Sequence, residues 1–336
     1  MGISKDKLTS AVLLLASVFL FCLPVAALAQ TKQVVFIRYR IPPAYFANVV
    51  EEFKAAMSRR GFTEGVNIEY IDILTRSADN DSIPDVLAAV RQYQDSADMF
   101  ITCGWVSMPA RELLKNTGVP QLFVPVLKSV AMEMLPTVKS QPGTNLSGIY
   151  LMYPPEKVLR LARLILPGAT KYAYVYDSLI PADRVFKKEY EELAPADRHD
   201  FSLFFLDLAA GEEKVIAELR GQGIDAYGGI IGFIKHREAL SASGIPLITS
   251  FALDIDQQSI REYVGEDTIA GLFDPFGYCG SEAAEMTADI FAGRNTIENS
   301  TPRPAKQLAF INLKAARLRN LPISFDALEA VDIIIK

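Results

Sequence analysis

The chain has 336 residues, a formal net charge of −6 and a hydrophobic content of 50%. A mildly acidic chain without a basic run is a poor candidate for binding nucleic acid or an anionic membrane surface. Its 2 histidines exclude a dense imidazole metal site, and its 3 cysteines exclude a scaffold built on disulfides. The length is large for one compact core and suits two lobes.

The first 29 residues are typical of an export signal. Lys5 and Lys7 precede a long apolar stretch that starts at Ala11 and ends on Ala27-Leu28-Ala29. A basic start, an apolar middle and a small-x-small end predict cleavage near Ala29 and a periplasmic protein. The apolar stretch is also long enough to span a membrane, so an uncleaved anchor is the alternative.

Apolar strands alternate with amphipathic helices in the first half of the remaining chain. Strands are predicted at 34–37, 68–73, 99–102 and 121–126, and helices at 46–57, 84–93 and 110–115. Repeated strand–helix units predict a parallel sheet that is covered by helices on both faces.

The pattern restarts after a break at Gln141-Pro142-Gly143-Thr144-Asn145. A helical stripe of Val158, Leu161, Ala162 and Ile165 comes first. It is followed by predicted strands at 172–176, 201–206, 226–231 and 246–249, a helix at 282–291 and a final strand at 308–312. We therefore predict an α/β fold of two Rossmann-like lobes with parallel sheets. Ligands of such sheets bind beyond the carboxyl ends of the strands, which predicts a cleft between the lobes.

The pattern alone predicts two similar α/β halves that are joined near residue 147.

Six short motifs follow one another over nearly all of the chain after the export signal. They are GFTEGVNIEY at 61–70, GVP at 118–120, GTNLSG at 143–148, LPGA at 166–169, FINLKAA at 310–316 and LPI at 321–323. As an ordered set they resemble the ABC-transporter substrate-binding family that includes tryptophan- and tyrosine-type binding proteins. The resemblance implies the periplasmic-binding-protein type I fold, with three crossing segments and a small ligand held between two lobes.

The crossings implied by the resemblance make the lobes interleaved. Lobe 1 then takes residues 30–147 and about 275–305, and lobe 2 takes residues 148–274 and about 306–325. In this arrangement the helix from Gly280 to Phe291 returns to the first lobe, and the last strand crosses again.

The sequence departs from the family pattern at two strand ends and in one loop. Leu127-Lys128-Ser129 stands where the family carries a Thr-Asp-Pro-like turn, so a base replaces an acid. Residues 103–107 replace the usual small-residue turn after the third strand, and the segment 232–241 is shorter than usual. The resemblance therefore predicts the fold more firmly than the ligand.

Strand ends supply the candidate ligand-binding residues, because small-ligand pockets combine apolar walls with a few convergent polar groups. In the first lobe the candidates are Arg38, Tyr39, Arg40, Gly104, Trp105 and Lys128. In the second lobe they are Asp177, Ser178, Phe233, Phe251, Asp274 and Phe276. The alternative for each residue is an exposed surface charge or a core aromatic ring.

The charges of these candidates predict how a ligand is oriented. The three bases of the first lobe favour a ligand carboxylate, since charge-assisted hydrogen bonds are stronger than neutral ones. Asp177 and Asp274 favour an ammonium group on the side of the second lobe. With the aromatic rings as flat walls, an amino acid or a small aromatic or carboxylate compound is expected.

Enzyme motifs do not accompany this pattern. The sequence has no Gly-x-Ser-x-Gly elbow, no Walker A loop and no His-Glu-x-x-His motif. We expect a monomeric binding protein without a cofactor or metal that delivers its solute to an ABC permease. The alternatives are a ligand-sensing partner of a membrane sensor kinase, which neighbouring genes would reveal, and, less favoured, a secreted hydrolase. Cys103 and Cys279 are expected to be buried free thiols rather than a bridge.

Overall fold

Two sheets of mostly parallel strands organise the chain. The computed structural model describes residues 31–76, 80–135 and 143–336. The predicted export signal, and Gln141 and Pro142 of the predicted break, lie outside these residues. Each sheet is the centre of one lobe, which confirms the predicted α/β class. Among the described residues no helix is long and apolar enough to cross a membrane.

Strands and helices alternate along both lobes. In chain order the strands are β1 (Lys32–Tyr39), β2 (Ile68–Thr75), β3 (Met99–Thr102), β4 (Gln121–Leu127), β5 (Leu146–Leu151), β6 (Lys171–Tyr176), β7 (Ser202–Asp207), β8 (Ala226–Gly228), β9 (Leu247–Phe251), β10 (Thr268–Phe273), β11 (Arg303–Pro304), β12 (Leu308–Asn312) and β13 (Ile333–Ile335). The helices are α1 (Ala47–Arg59), α2 (Ile83–Tyr93), α3 (Ser107–Leu114), α4 (Lys128–Met134), α5 (Pro155–Ile165), α6 (Pro181–Glu191), α7 (Glu212–Gly221), α8 (Arg237–Ser241), α9 (Ile260–Tyr263), α10 (Phe276–Phe291), α11 (Leu313–Leu318) and α12 (Phe325–Glu329).

The first sheet has six strands in the order β11-β5-β4-β3-β1-β2, all parallel. Its central strands are continuous apolar runs because helices cover both faces, so that Val34–Ile37 and Met99–Thr102 are buried throughout. The predicted stripe of α1 is buried as Val49, Val50, Phe53 and Met57. β5 extends this sheet to Leu151, past residue 147 where the sequence placed the boundary between the lobes.

The second sheet has seven strands in the order β13-β12-β10-β9-β8-β6-β7. All its pairs are parallel except β10 with β12. The strand predicted as final, 308–312, is followed by β13, which the sequence analysis missed because it is only three residues long. The strand predicted at 226–231 ends at Gly228, since Gly229–Ile231 form its exit loop.

The chain passes between the lobes three times. It leaves the first sheet after β5 and enters the second lobe at α5, whose predicted stripe is buried under β9 and β10. After β10 it returns as α10, which packs along α1 and starts earlier than predicted, at Phe276. Gly280 allows this close packing, because a Cβ there would lie 2.2 Å from the carbonyl oxygen of Val49. The third passage joins β11 to β12.

Two asparagines of the family-like motifs organise turns. The side chain of Asn67 accepts from the Thr63 N–H at 2.7 Å and donates to the Gly61 carbonyl at 2.9 Å. Asn145 is buried and donates to the carbonyls of Leu114, Thr117 and Val119, at 2.8, 3.0 and 2.7 Å. Its side-chain oxygen accepts from Arg111. These motifs are therefore structural, and they fix how β5 joins the first sheet.

We expect Asn145→Ala to lower the free energy of unfolding by about 2–3 kcal/mol, because it leaves buried carbonyls without donors. Urea denaturation measures this loss. Asn67→Ala, in an exposed turn, is the matched control and should cost about 1 kcal/mol. Equal losses for the two variants would contradict a buried, stabilising role for Asn145.

Candidate ligand-binding site

The carboxyl ends of the two sheets come together between the lobes. Asp254, which follows β9, accepts a hydrogen bond from the Asn48 side chain in the first turn of α1, with Nδ2 and Oδ1 2.9 Å apart. Lys128, after β4, interacts electrostatically with Glu189 on α6 of the second lobe. Contacts from separate strand ends therefore cross one boundary between the lobes, and we call this boundary the cleft.

Arg38 is bound by its own lobe. Its Nε and Nη2 atoms each lie 2.7 Å from an oxygen of Asp72 on β2, and Nη1 donates to the Tyr45 carbonyl at 2.7 Å. The hydrogen bond to Asp72 raises the pKa of Arg38 above its usual value. A carboxylate of the protein thus already neutralises this guanidinium, which holds the loop after β1 in place. Arg40 and Lys128 are the exposed bases at these strand ends.

Gly104 brings three aromatic residues close together. Its φ is +62°, and a Cβ would lie 2.8 Å from the Tyr39 hydroxyl and 2.9 Å from the Phe46 ring. The Tyr39 hydroxyl is hydrogen-bonded by the backbone of Trp105, and burial raises its pKa. The Trp105 side chain is half-buried. The predicted residues Tyr39, Gly104 and Trp105 therefore form one contiguous surface, to which Phe46 is added.

The phenylalanines predicted as ligand walls divide into two groups. Phe233 and Phe251 are fully buried, with ring centroids 6.0 Å apart, in the apolar core of the second lobe. Phe251 also stacks on Phe310 of β12, so packing inside the lobe accounts for both rings. Phe276, in contrast, stacks on Phe46 of the first lobe with centroids 5.6 Å apart. Only Phe276 adjoins the other candidate residues.

Asp177 and Ser178 are held by groups of the second lobe. The Asp177 carboxylate accepts from the Leu179 N–H at 2.9 Å and pairs with Lys235 at 3.3 Å. The Ser178 N–H donates to Asp207 at 3.0 Å. Asp177 is therefore already paired with a base of its own lobe, so it is a weaker candidate for binding a ligand ammonium than the sequence suggests.

Asp183 is a buried acid that sequence analysis missed. Its Oδ2 accepts from the backbone N–H groups of Asp177 and Gly232, at 2.9 and 3.0 Å, and so ties the exits of β6 and β8 together. Burial raises its pKa to about 6, although these hydrogen bonds oppose the shift. Gly232 permits the approach, because a Cβ there would lie 2.3 Å from Oδ2. Asp183 thus holds the loops after β6 and β8 in place, and Asp177 lies in the first of these loops.

Asp254 is the second missed acid, and it caps a helix of the opposite lobe. The N-cap residue that precedes α1, Phe46, has left-handed backbone angles, and its side chain makes no capping hydrogen bond. The carboxylate of Asp254 takes that place, because the Asn48 side chain and the backbone of Phe46, Ala47 and Asn48 all lower its pKa through hydrogen bonds. Burial outweighs them and raises the pKa to about 6. The sequence signal for this buried acid is its position between two apolar residues, Leu253 and Ile255.

Asp274 is the most deeply buried of the predicted polar residues, with 0% of its surface exposed. Neither carboxylate oxygen has a hydrogen-bond partner of good geometry among the described residues. The Tyr153 hydroxyl lies near it but donates to the Phe251 carbonyl at 3.2 Å. Burial raises the pKa of Asp274 to about 7, and Tyr153 and the charge of Lys157 oppose the shift.

The two cysteines are free and buried, which confirms the expectation of unbridged thiols. Burial raises the pKa of both, so neither is a thiolate at neutral pH. Surface cavities of about 180 and 460 Å³ occur elsewhere, and both are lined only by residues of the second lobe. A site shared by the two lobes must therefore be assigned from the strand ends.

Comparison with known proteins identifies the fold. No protein-family model matches the chain, and no curated protein matches it significantly. Among solved structures, a conserved domain protein from Vibrio cholerae is 19% identical with a TM-score of 0.69, and the match covers 91% of this chain and 100% of that one. The ABC domain of Streptococcus pneumoniae in complex with L-Trp is 12% identical with a TM-score of 0.72, over 91% and 100% of the two chains.

A third similar structure is the ligand-free, open form of a substrate-binding protein with adhesive properties from Clostridium difficile. It is 16% identical with a TM-score of 0.71, and the match covers 90% of this chain and 99% of that one. This chain has the type I periplasmic-binding-protein fold. The fold implied by the sequence motifs is therefore confirmed.

We expect Gly104→Ala to destabilise the protein by more than the roughly 1–2 kcal/mol that a left-handed non-glycine residue costs. The additional loss reflects displacement of Tyr39 and Phe46. Gly293→Ala is the matched control, since Gly293 has a φ of +68° and a Cβ there would have nothing within 4 Å of it. Urea denaturation compares the two variants. Equal losses would show that the aromatic contacts at Gly104 contribute nothing.

We also expect Asp274→Asn to stabilise the protein at pH 8 but not at pH 5. In the unfolded chain Asp274 ionises near pH 4, whereas in the folded protein its pKa is raised to about 7. Stability therefore falls as pH rises between these values, because the unfolded state releases the proton first. The amide removes this penalty, which is on the order of 4 kcal/mol above pH 7, since one pKa unit corresponds to about 1.4 kcal/mol.

Chemical denaturation at both pH values measures the effect. The groups that interact with Asp274 are Tyr153, Lys157 and Cys279, and burial raises the pKa of both Tyr153 and Cys279 above the usual value. Asp197→Asn, at an exposed acid of the second lobe, is the control. If the stability of the wild type and that of the Asp274→Asn variant depend on pH in the same way, the raised pKa of Asp274 is contradicted.

Proposed function

We propose that this protein binds one small solute in the cleft between its lobes and delivers it to an ABC permease outside the cytoplasm. The observation that carries the proposal is that both carboxyl edges meet at one boundary, where the Asn48 side chain of the first lobe donates to Asp254 of the second. Ligands of open parallel sheets bind at this edge. The similar proteins from Streptococcus pneumoniae and Clostridium difficile, described as an L-Trp complex and as a substrate-binding protein, support the same activity.

The groups around the cleft suit an amino acid or a small aromatic compound. Tyr39, Phe46 and Phe276 form a continuous cluster of buried rings, with centroids 5.1 and 5.6 Å apart, and the half-buried Trp105 lies beside it. The Trp105 ring supplies a large, rigid contact area for an apolar ligand group. Acids of the second lobe and exposed bases of the first supply the charge that orients it. Binding, without turnover, is the proposed activity.

Lobe closure is the proposed means by which bound ligand is signalled to the permease. Three crossing segments join the lobes, so a hinge motion changes their separation with little change inside either one. A ligand that contacts both lobes favours the closed arrangement in proportion to its extra contacts there. The hydrogen bond between Asn48 and Asp254 is one contact that joins the lobes.

We expect a thermal-shift screen of amino acids and small aromatic or carboxylate compounds to find a ligand that raises the melting temperature. Ligand at 100 times its Kd stabilises the folded protein by about 2.7 kcal/mol. Because Trp105 is the single tryptophan, its fluorescence should respond to that ligand.

In calorimetry, Trp105→Ala and Lys128→Ala should each weaken binding, by about tenfold or more for the loss of one good contact. Lys115→Ala, an exposed lysine beyond the other end of α3, should not. A ligand whose affinity survives both substitutions would place the site elsewhere. A compound that the pure protein converts, rather than binds unchanged, would refute a binding function.

A further inference from the structure

We propose that Asp254 is a latch between the lobes: its carboxylate holds the start of α1 in the first lobe and favours the closed arrangement before any solute is bound. The inference rests on the proposed function, in which lobe closure signals bound solute, and it names a contact that sets the balance between the open and closed arrangements. Its test requires no solute.

The first reason is that the second lobe caps a helix of the first. Asn48 Nδ2, in the first turn of α1, lies 2.9 Å from Oδ1 of Asp254 and 3.5 Å from the Asp254 carbonyl oxygen. The backbone of Phe46, Ala47 and Asn48 also forms hydrogen bonds with the carboxylate. A carboxylate at a helix N-terminus is stabilised by N–H groups that have no partner inside the helix and by the helix dipole. Separating the lobes therefore removes the cap of α1.

The second reason is that a base of the first lobe attracts the same acid. Arg38, at the end of β1, interacts electrostatically with Asp254. The hydrogen bonds of its guanidinium go to Asp72 and to the Tyr45 carbonyl, so they fix the position of this charge. The first lobe thus presents a guanidinium, a helix N-terminus and an amide donor to one acid of the second lobe. Charges that are partly buried are screened by salt much less than exposed ones.

The third reason is that both partners are fixed within their own lobes. Leu253 and Ile255, on either side of Asp254, are 5% and 0% exposed and belong to the apolar core of the second lobe. Val49, next to Asn48, is buried in the first lobe. A hydrogen bond of 2.9 Å is lost once its atoms move apart by about 0.7 Å. Because the flanking side chains hold each partner in place, a change in the angle between the lobes breaks the contact.

The position of the contact lets it act on the hinge itself. It lies beside the second crossing segment, since the Phe276 N–H at the start of α10 donates to the Ile255 carbonyl at 3.4 Å. Hinge motion is taken up by a few residues at such crossings. Loss of a helix cap changes an equilibrium constant by about fivefold. We expect a change of this size in the ratio of open to closed molecules when the latch is removed.

The test measures the separation of the lobes by double electron–electron resonance on purified protein that dialysis has freed of solute. Spin labels are attached at Arg40→Cys and Leu179→Cys, which are exposed positions just after β1 and β6. Cys103 and Cys279 are buried and remain unlabelled. The pKa of Asp254 is raised to about 6, so measurement at pH 8 keeps its carboxylate ionised.

Variants in the labelled background connect the lobe separation to the latch. Asp254→Ala should raise the ratio of longer to shorter label distances about fivefold. Asn48→Asp should have the same effect, because two carboxylates then face each other. Combining Asn48→Asp with Asp254→Asn exchanges the roles of amide and carboxylate, and it should return the ratio towards that of the wild type. Asp197→Ala, at an exposed acid of the second lobe, is the control and should change nothing.

Circular dichroism verifies that each variant is folded, and if Asp254→Ala does not fold, Asn48→Asp and the double variant decide the question. If the folded variants keep the label distances of the wild type, the pair is a fixed part of the hinge region and the latch is refuted, while solute binding stands. The latch is also refuted if the double variant separates the lobes as far as Asn48→Asp alone. A thermal-shift screen that finds no solute would refute the proposed function and leave these distances unaffected.

Discussion

Parallel pairing of the strands determines where the polar chemistry of this protein lies. A parallel strand begins at one edge of its sheet and ends at the other, so every exit loop emerges on the same side. Because both sheets are built this way, the residues after β1, β3, β9 and β10 meet at one boundary although they are far apart in sequence. Three crossings of the chain keep the two edges opposed. The single antiparallel pair, β10 with β12, arises after the last crossing, where β12 and the parallel β13 run against the rest of the second sheet.

Burial at this boundary has different consequences for each acid. Asp183 is satisfied on one oxygen by two backbone N–H groups and fastens the exits of β6 and β8. Asp254 is satisfied on one oxygen by the start of α1 and joins the lobes. Asp274 has neither kind of support, and its pKa is raised the furthest of the three. Among the described residues, Asp274 therefore has more unpaired acceptor capacity than Asp183 or Asp254.

The sequence allows the fold to be predicted more completely than the site. The periodicity of strands and helices can be recognised within a single segment, so the strands and helices of the two sheets follow from local patterns, and only short strands such as β13 are missed. The return of α10 to the first lobe follows from the family resemblance instead. Side-chain partners depend on other segments. Arg38 and Asp177 look free in the sequence, yet Asp72 and Lys235 bind them. Phe233 and Phe251 stand at strand ends, yet they turn into the core, and Asp254 gains its role only from a helix 206 residues away.

An unpartnered buried carboxylate also shows which property the structure favours at the cleft. A protein optimised for stability alone would place an apolar or amide side chain where Asp274 lies, because its carboxylate is fully buried. Residues that lower stability without a structural benefit are concentrated where function requires them. Protonation below neutral pH removes the charge that burial penalises, so the folded protein carries this cost only where Asp274 is ionised.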